Sequence, residues 1–276
     1  MFSIELCGAP MDSAMEQPRR DAPHRPTKAA CVLALAAATV GLFPSGATAA
    51  NAPVLPETTV VSSTIAAGVA STEPAPPAVT IVAAARNRMT PVYDSATATK
   101  PFVTFDNRLN FSGRHVFLVI AQEGNAYKVR LPMRPNGRTG YVKVADVSVY
   151  QHDYAIKVDL SDHLLIVYKG GKEIERDTVA VGQAKYPTPT GSFFLRELAK
   201  PSNPKGSYGP WAFGLSAYSN VLQKFGRGDG QIGIHGTNQP GALGTNASHG
   251  CIRMKNTSIT KLAQTLPQGV PIDIVA

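Results

Sequence analysis

The chain has 276 residues, 43% of them hydrophobic and 17% charged, a balance that excludes an intrinsically disordered protein and allows one large or two small domains. Its 24 glycines and 22 prolines imply frequent turns and few helices. A formal charge of +8 suits either an anionic partner or a basic, solvated surface.

Residues 1–50 read as a secretory signal segment. Arg19, Arg20, Arg25 and Lys28 precede the apolar run AACVLALAAATVGLF, and PSGATAA follows with small residues suited to cleavage near Ala49 or Ala50. The run is 15 residues long, short of the roughly 20 that a membrane-spanning helix needs; retention by an uncleaved N-terminal anchor is the alternative. The expected location is therefore extracytoplasmic. There, the basic surface suits anionic wall polymers rather than nucleic acid, with plain solubility as the competing reading. Cys7 and Cys31 belong to the segment, so only Cys251 of the three cysteines remains beyond it. Such a thiol is either a buried small apolar group or a reactive one.

Residues 51–78, rich in Ala, Pro, Thr, Ser and Val, lack sustained periodicity and read as a linker. From residue 79 the pattern turns to short strands. In HVFLVIAQEGNAYKVRLP, Val116, Leu118 and Ile120 alternate, Glu123-Gly124-Asn125 turns the chain, and Tyr127, Val129 and Leu131 alternate on the return, which predicts a hairpin. Asn136-Gly137 predicts a second. These strands can build only a small barrel, and the stretch TPVYDS … GYVKVADV resembles bacterial SH3-like modules, placing one over 79–150.

Beyond residue 150 the strands lengthen. YAIKVDL alternates as a half-buried strand does, and HLLIVYKGGKEIERDTVAVG predicts a hairpin around Gly170-Gly171 with a first arm apolar on both faces. YPTPTGSFFLREL adds another strand. Residues 200–230, including Tyr208 and Trp211, read as a loop long enough to be a binding segment or partial lid. NTSITKLAQTL places Ile259, Leu262, Ala263 and Leu266 at helical spacing behind a Thr257 cap, and VPIDIV is a last strand. The expected fold class is mainly β, with one short amphipathic helix.

The chemistry concentrates in IGIHGTNQPGALGTNASHGCIRM. A short apolar strand ends at His235, a glycine-rich loop follows, and the chain returns at Ser248. If the flanking segments lie side by side, His235 meets Cys251 although 16 positions separate them. A positioned imidazole can take the proton of a thiol whose ordinary pKa is about 8.5 and so produce a nucleophile. The Gly236 carbonyl is placed to orient that imidazole. The N–H groups of Gly250 and Cys251 are candidates for an oxyanion pocket. Two other readings compete: zinc ligation by His235, His249 and Cys251 with an open fourth position, and plain packing of two histidines and a cysteine.

The same residues resemble the signature of the YkuD-type L,D-transpeptidase catalytic domain, in which a histidine after a short strand is followed by Ser/Thr-His-Gly-Cys; HLLIVYKGGK and YPTPTG are similar to its opening strands. The resemblance covers 152–276 and implies a β-sandwich. It also implies Cys251 as nucleophile, His235 as proton donor and acceptor, Gly236 as the source of the orienting carbonyl, and Ser248, His249 and Gly250 around the oxyanion. Many members have asparagine two residues after the cysteine and another subset has arginine; Arg253 matches the second pattern, so an asparagine-specific role does not carry over directly. Arg253, Trp211 and Tyr208 are the expected substrate contacts. The implied reaction needs no metal or organic cofactor. The thiolate attacks the third residue of a peptidoglycan tetrapeptide stem, D-alanine leaves, and the side-chain amine of a second stem resolves the thioester into a 3→3 cross-link. A carboxypeptidase or endopeptidase that gives the thioester to water, and a non-enzymatic wall-binding protein, are the alternatives.

Overall fold

The computed structural model describes residues 79–107, 114–226 and 228–276; the signal segment and linker expected over 1–78 lie outside the described residues. The described residues fall within one compact unit, and no helix among them is long and apolar enough to cross a membrane. The structure is mainly β.

Its first part is built from seven strands: β1 (Thr80–Ala85), β2 (Met89–Val92), β3 (Val103–Asp106), β4 (Val116–Glu123), β5 (Ala126–Arg130), β6 (Thr139–Lys143) and β7 (Val147–His152). Five form an antiparallel sheet in the order β6-β5-β4-β1-β7, and β2-β3 make a separate hairpin. Ala83, Phe117, Val129, Leu131 and Val142 fill its core. The β4–β5 hairpin turns at Gly124, whose φ of 55° lies in the left-handed region that glycine tolerates. The alternation expected along β4 breaks, however. The register shifts between Val119 and Ala121, and Ile120 is 47% exposed; ahead of the shift, Val116 and its neighbour Phe117 are both buried because each face is covered, Val116 against Phe194 and Phe117 in the core of the first part. A bulge that adds one residue sends the following side chains to the other face.

The second part begins with β8 (Tyr154–Asp159), β9 (Leu164–Lys169), β10 (Lys172–Thr178), β11 (Val181–Gly182) and β12 (Gly191–Ala199). It continues with β13 (Ala212–Tyr218), β14 (Gln231–His235), β15 (Asn246–Ser248), β16 (Ile252–Arg253), α1 (Asn256–Thr265) and β17 (Pro271–Val275). Eight strands form one sheet in the order β10-β9-β8-β17-β12-β13-β14-β16. Strand β12 serves two neighbours: Gly191–Phe194 pair with β17, and Leu195–Ala199 with β13 across a register shift. The two halves of the sheet joined there share one core. Ile156, Val158, Leu165 and Val167 come from one half; Leu215, Ile232, Ile234 and Ile252 from the other; Ile259 and Leu262 from α1.

Two expectations need correction. Residues 200–230 are not one loop, because they contain β13, seven residues that are all buried. The AFGLSAY segment lacks alternation since both its faces are covered, as strands in the middle of a sheet are. Nor does Thr257 cap the helix. The helix begins at Asn256, Lys255 occupies the cap position, and no side chain caps it.

The two parts pack directly. Phe194 on β12 is fully buried against Val82 and Val116, and the Tyr150 hydroxyl donates to the Gln268 carbonyl at 2.9 Å.

Candidate active site

Strands β14 and β16 run parallel in adjacent positions, with Ile234 opposite Ile252 and His235 opposite Arg253. This pairing brings the two halves of the sequence motif together. Cys251 immediately precedes β16, carries no disulfide and is 0% exposed. At that end of the ladder the Gly233 N–H reaches the Cys251 Sγ, 3.3 Å away, in place of a backbone carbonyl. A donor aimed at sulfur favours the thiolate over the thiol.

The turn that carries Cys251 is held from inside. Ser248 Oγ accepts from the Gly250 N–H at 3.0 Å and donates to the Cys251 carbonyl at 2.6 Å. Gly250 has φ of 118°, a conformation that side chains rarely adopt. Its carbonyl accepts from the Thr188 hydroxyl at 2.8 Å, and that hydroxyl accepts in turn from the Gly182 N–H at 2.9 Å. Thr188 thereby joins the YPTPTG segment to the Cys251 turn.

His235, the last residue of β14, is 1% exposed. Its Nδ1 lies 2.6 Å from the Gly236 carbonyl. A carbonyl oxygen only accepts, so Nδ1 carries the proton and Nε2 the lone pair. Nε2 is buried without a hydrogen-bond partner among the described residues. Burial lowers the His235 pKa to about 4; the Gly236 bond opposes that shift and the Arg253 charge adds to it. At neutral pH the imidazole is uncharged and able to accept a proton.

The other candidates fall around this centre. The Tyr208 ring, 3% exposed, packs at 4.7 Å from the His235 ring. Trp211 is partly buried against the main core; its carbonyl accepts from the Gly236 N–H at 3.3 Å, and Lys200 Nζ sits 5.5 Å over its ring. His249 packs between Tyr186 and Phe225, with ring centroids 4.9 and 5.4 Å away. Arg253 donates through Nη1 to Gln239 Oε1 at 3.3 Å, while its Nε is buried and unbonded. Among the described residues no carboxylate forms an ion pair with it, and no three His, Cys, Asp or Glu side chains converge as a metal site requires.

The L,D-transpeptidase catalytic-domain (YkuD) family model matches residues 153–274. The L,D-transpeptidase-family protein YkuD of Bacillus subtilis is 31% identical over 125 residues, 45% of this chain and 68% of that protein. Its Bacillus licheniformis counterpart is 32% identical over 121 residues, 44% of this chain. The chain belongs to the YkuD-type L,D-transpeptidase family. It spans 65% of the length of the Bacillus licheniformis relative. Among solved structures, the catalytic domain of an Enterococcus faecium L,D-transpeptidase is similar at 24% identity, covering 45% of this chain and 98% of that one with a TM-score of 0.33.

Within this L,D-transpeptidase domain, three positioning groups escape a reading of the motif. Thr188 and the Gly233 amide are described above. The third is Asn256, whose Oδ1 accepts from the Thr237 N–H at 2.8 Å. A Cβ at Gly209 or at Gly236 would collide with that same oxygen. Asn256 therefore seats the chain just past His235 against the 208–210 loop, and with it the Gly236 carbonyl. An asparagine at the first turn of a helix is the signal available in sequence, but it suggests a cap rather than this bridge.

Two buried histidines contribute to the fold's response to acid. His115, in the first part, is likewise lowered to about 4 by burial and the Arg196 charge, against the Asp106 carbonyl. Unfolded histidine titrates near 6.5, so between about pH 6.5 and 4 the unfolded chain binds more protons than the folded one. Stability from both groups is complete above about pH 6.5 and falls with pH, by about 1.4 kcal/mol per pH unit for each histidine. The melting temperature should drop between pH 7 and pH 5, and His115→Gln should shrink that drop; an unchanged drop would exclude His115 as a source.

Proposed function

We propose that the protein is an extracytoplasmic peptidoglycan L,D-transpeptidase that forms 3→3 cross-links through a thioester on Cys251. The observation that carries this reading is the neutral His235, its Nδ1 proton committed to the Gly236 carbonyl at 2.6 Å, on the strand beside the segment that bears a thiol sealed from water. Nε2 takes the thiol proton, and the Cys251 sulfur adds to the carbonyl carbon of the third residue of a tetrapeptide stem. Collapse breaks the bond to D-alanine, whose amine takes the proton back from His235. The side-chain amine of a second stem then attacks the thioester; its proton passes to Nε2 and on to the departing sulfur, restoring the thiol. Ser248, His249 and Gly250 form the walls around the oxyanion, with the Ser248 hydroxyl holding the turn. Tyr208 and Trp211 contribute to substrate binding by backing the His235–Gly236 segment. A dry site favours a delivered amine over water as acceptor, which supports transfer over the hydrolytic alternative.

Arg253 is proposed to bind a stem carboxylate through a two-pronged contact, since its Nε is buried without a partner and a guanidinium fork matches a carboxylate. Arg253→Lys should lower kcat/KM for tetrapeptide stems about tenfold or more and barely move the melting temperature. Unchanged kinetics with a large thermal loss would make Arg253 scaffolding. The first part of the chain, read as an SH3-like module, is proposed as a wall-facing element whose basic surface suits anionic polymers. The mechanism is tested by mass spectrometry of the protein after incubation with a tetrapeptide stem. An acyl adduct on the Cys251 peptide is expected, and an adduct elsewhere or none would reject it.

A further inference from the structure

The connection between β13 and β14 is gripped from outside the catalytic domain. Arg134, in the β5–β6 connection, donates through Nη1 to the Asp229 carbonyl at 2.7 Å. Its Nη2 donates to the carbonyls of Ser219 at 3.2 Å and Leu222 at 3.0 Å. The guanidinium also lies 4.7 Å from the Tyr218 ring centroid. Three carbonyls from both ends of one connection thus converge on one side chain. Asn136, two residues on, engages the Tyr218 backbone as a strand would, accepting from its N–H at 2.9 Å and donating to its carbonyl at 2.7 Å. The Tyr218 hydroxyl returns a bond to the Pro132 carbonyl at 3.2 Å. Gly230 leaves room for the grip, since a Cβ there would stand 2.9 Å from Arg134 Nη2 and collide with the Leu222 carbonyl.

The middle of the same connection reaches the candidate active site. Phe225 and Gly228 exchange backbone hydrogen bonds of 3.1 and 2.9 Å, and the Phe225 ring packs 5.4 Å from the ring of His249, two residues before Cys251. We infer that Arg134 is a positioning residue for catalysis: it shapes the β13–β14 connection so that Phe225 holds His249 beside the nucleophile turn. A guanidinium can donate to three carbonyls through its N–H groups and still offer its flat face to a ring, whereas an ammonium cannot span them. The first part of the chain thereby acts on the chemistry itself, beyond any contact with the wall. The inference rests on the assignment of Cys251 as nucleophile.

The test is a double-mutant cycle in the full chain with Arg134→Lys, Phe225→Ala and the pair, read as cross-linking kinetics and as the rate of acyl adduct formation on the Cys251 peptide with a tetrapeptide stem. Phe225 is half-buried, so its removal is not expected to disturb folding. Each single variant should lose about tenfold in kcat with KM within about twofold, because the displaced group neighbours the reacting atoms. The double variant should be no worse than Phe225→Ala alone. Lys128→Gln, over the Tyr141 ring in the same part of the chain, should leave kcat unchanged. Unaltered or raised kcat in Phe225→Ala or Arg134→Lys would overturn the inference, as would a further tenfold loss from Arg134→Lys in the Phe225→Ala background or a loss carried by KM alone. Absence of adduct in the parent protein would instead overturn the nucleophile assignment on which it rests.

Discussion

Replacing Cys251 by serine should abolish cross-linking and acyl-adduct formation while leaving the fold and melting temperature close to those of the parent. The substitution exchanges sulfur for oxygen at a position with 0% exposure, so packing changes little. The reactivity changes far more. A hydroxyl is a much weaker nucleophile at neutral pH than a thiol activated by histidine. The Gly233 N–H, now 3.3 Å from sulfur, would face a neutral oxygen and stabilise no anion. Loss of the whole catalysed rate is expected, about 10³-fold or more. Retention of even a tenth of the parental activity would remove Cys251 from the nucleophile role. Activity should also survive strong chelation. Loss on chelation with recovery on added zinc would restore the metal reading of His235, His249 and Cys251.

Replacing His235 by alanine should lower kcat by about 10²–10⁴-fold, the range for a lost general base, and should move the pH profile of Cys251 alkylation. With the Gly233 N–H aimed at its sulfur and the His235 Nε2 available as a base, the parent thiol should react below the ordinary cysteine range. Without it, the midpoint should rise towards about 8.5. His249→Ala should move the profile less, because that ring is packed between Tyr186 and Phe225 rather than fixed by a carbonyl as His235 is. Alkylation at several pH values, followed on the Cys251 peptide, separates the two. A larger shift in His249→Ala would reverse the roles of the histidines.

Both experiments depend on groups whose roles differ in how visible they are in the chain. Cys251 and His235 are legible as a candidate pair because a thiol nucleophile and its base need particular residue types, and SHGC and IH supply them in a spacing that suits a strand, a loop and a return, which the structure places side by side. The hairpins are legible for a similar local reason. Gly170 and Gly171, with φ of 55° and 75°, form a turn that glycine favours, and the apolar flanks of β9 are buried on both faces. Helix α1 shows its periodicity through Ile259 and Leu262, which are buried.

Other features have no local signature. Strand β13 is composed largely of small residues buried on both sides, so neither alternation nor bulk marks it. The register shift in β4 at Ile120 is decided by pairing with β5. The last strand, β17, lies between β8 and β12, a placement set by partners more than a hundred and about eighty positions away. Thr188, Asn256 and Arg134 are ordinary polar residues in the chain. Each acquires its role only when folding puts its side chain against backbone groups from distant segments: the Gly250 carbonyl, the Thr237 N–H, and the three carbonyls of the β13–β14 connection.

The amino-acid sequence by itself therefore determined the mainly β class, the turns, and the identity of the thiol and imidazole, because these follow from residue chemistry and short-range periodicity. Tertiary structure alone decided which strands meet, which face each residue presents, and which polar side chains hold the candidate thiol and imidazole in place. The physical reason is that a buried donor or acceptor must be satisfied by whichever partner the fold brings within about 3 Å, and in this chain those partners are mostly backbone groups, which are the same for nearly every residue type.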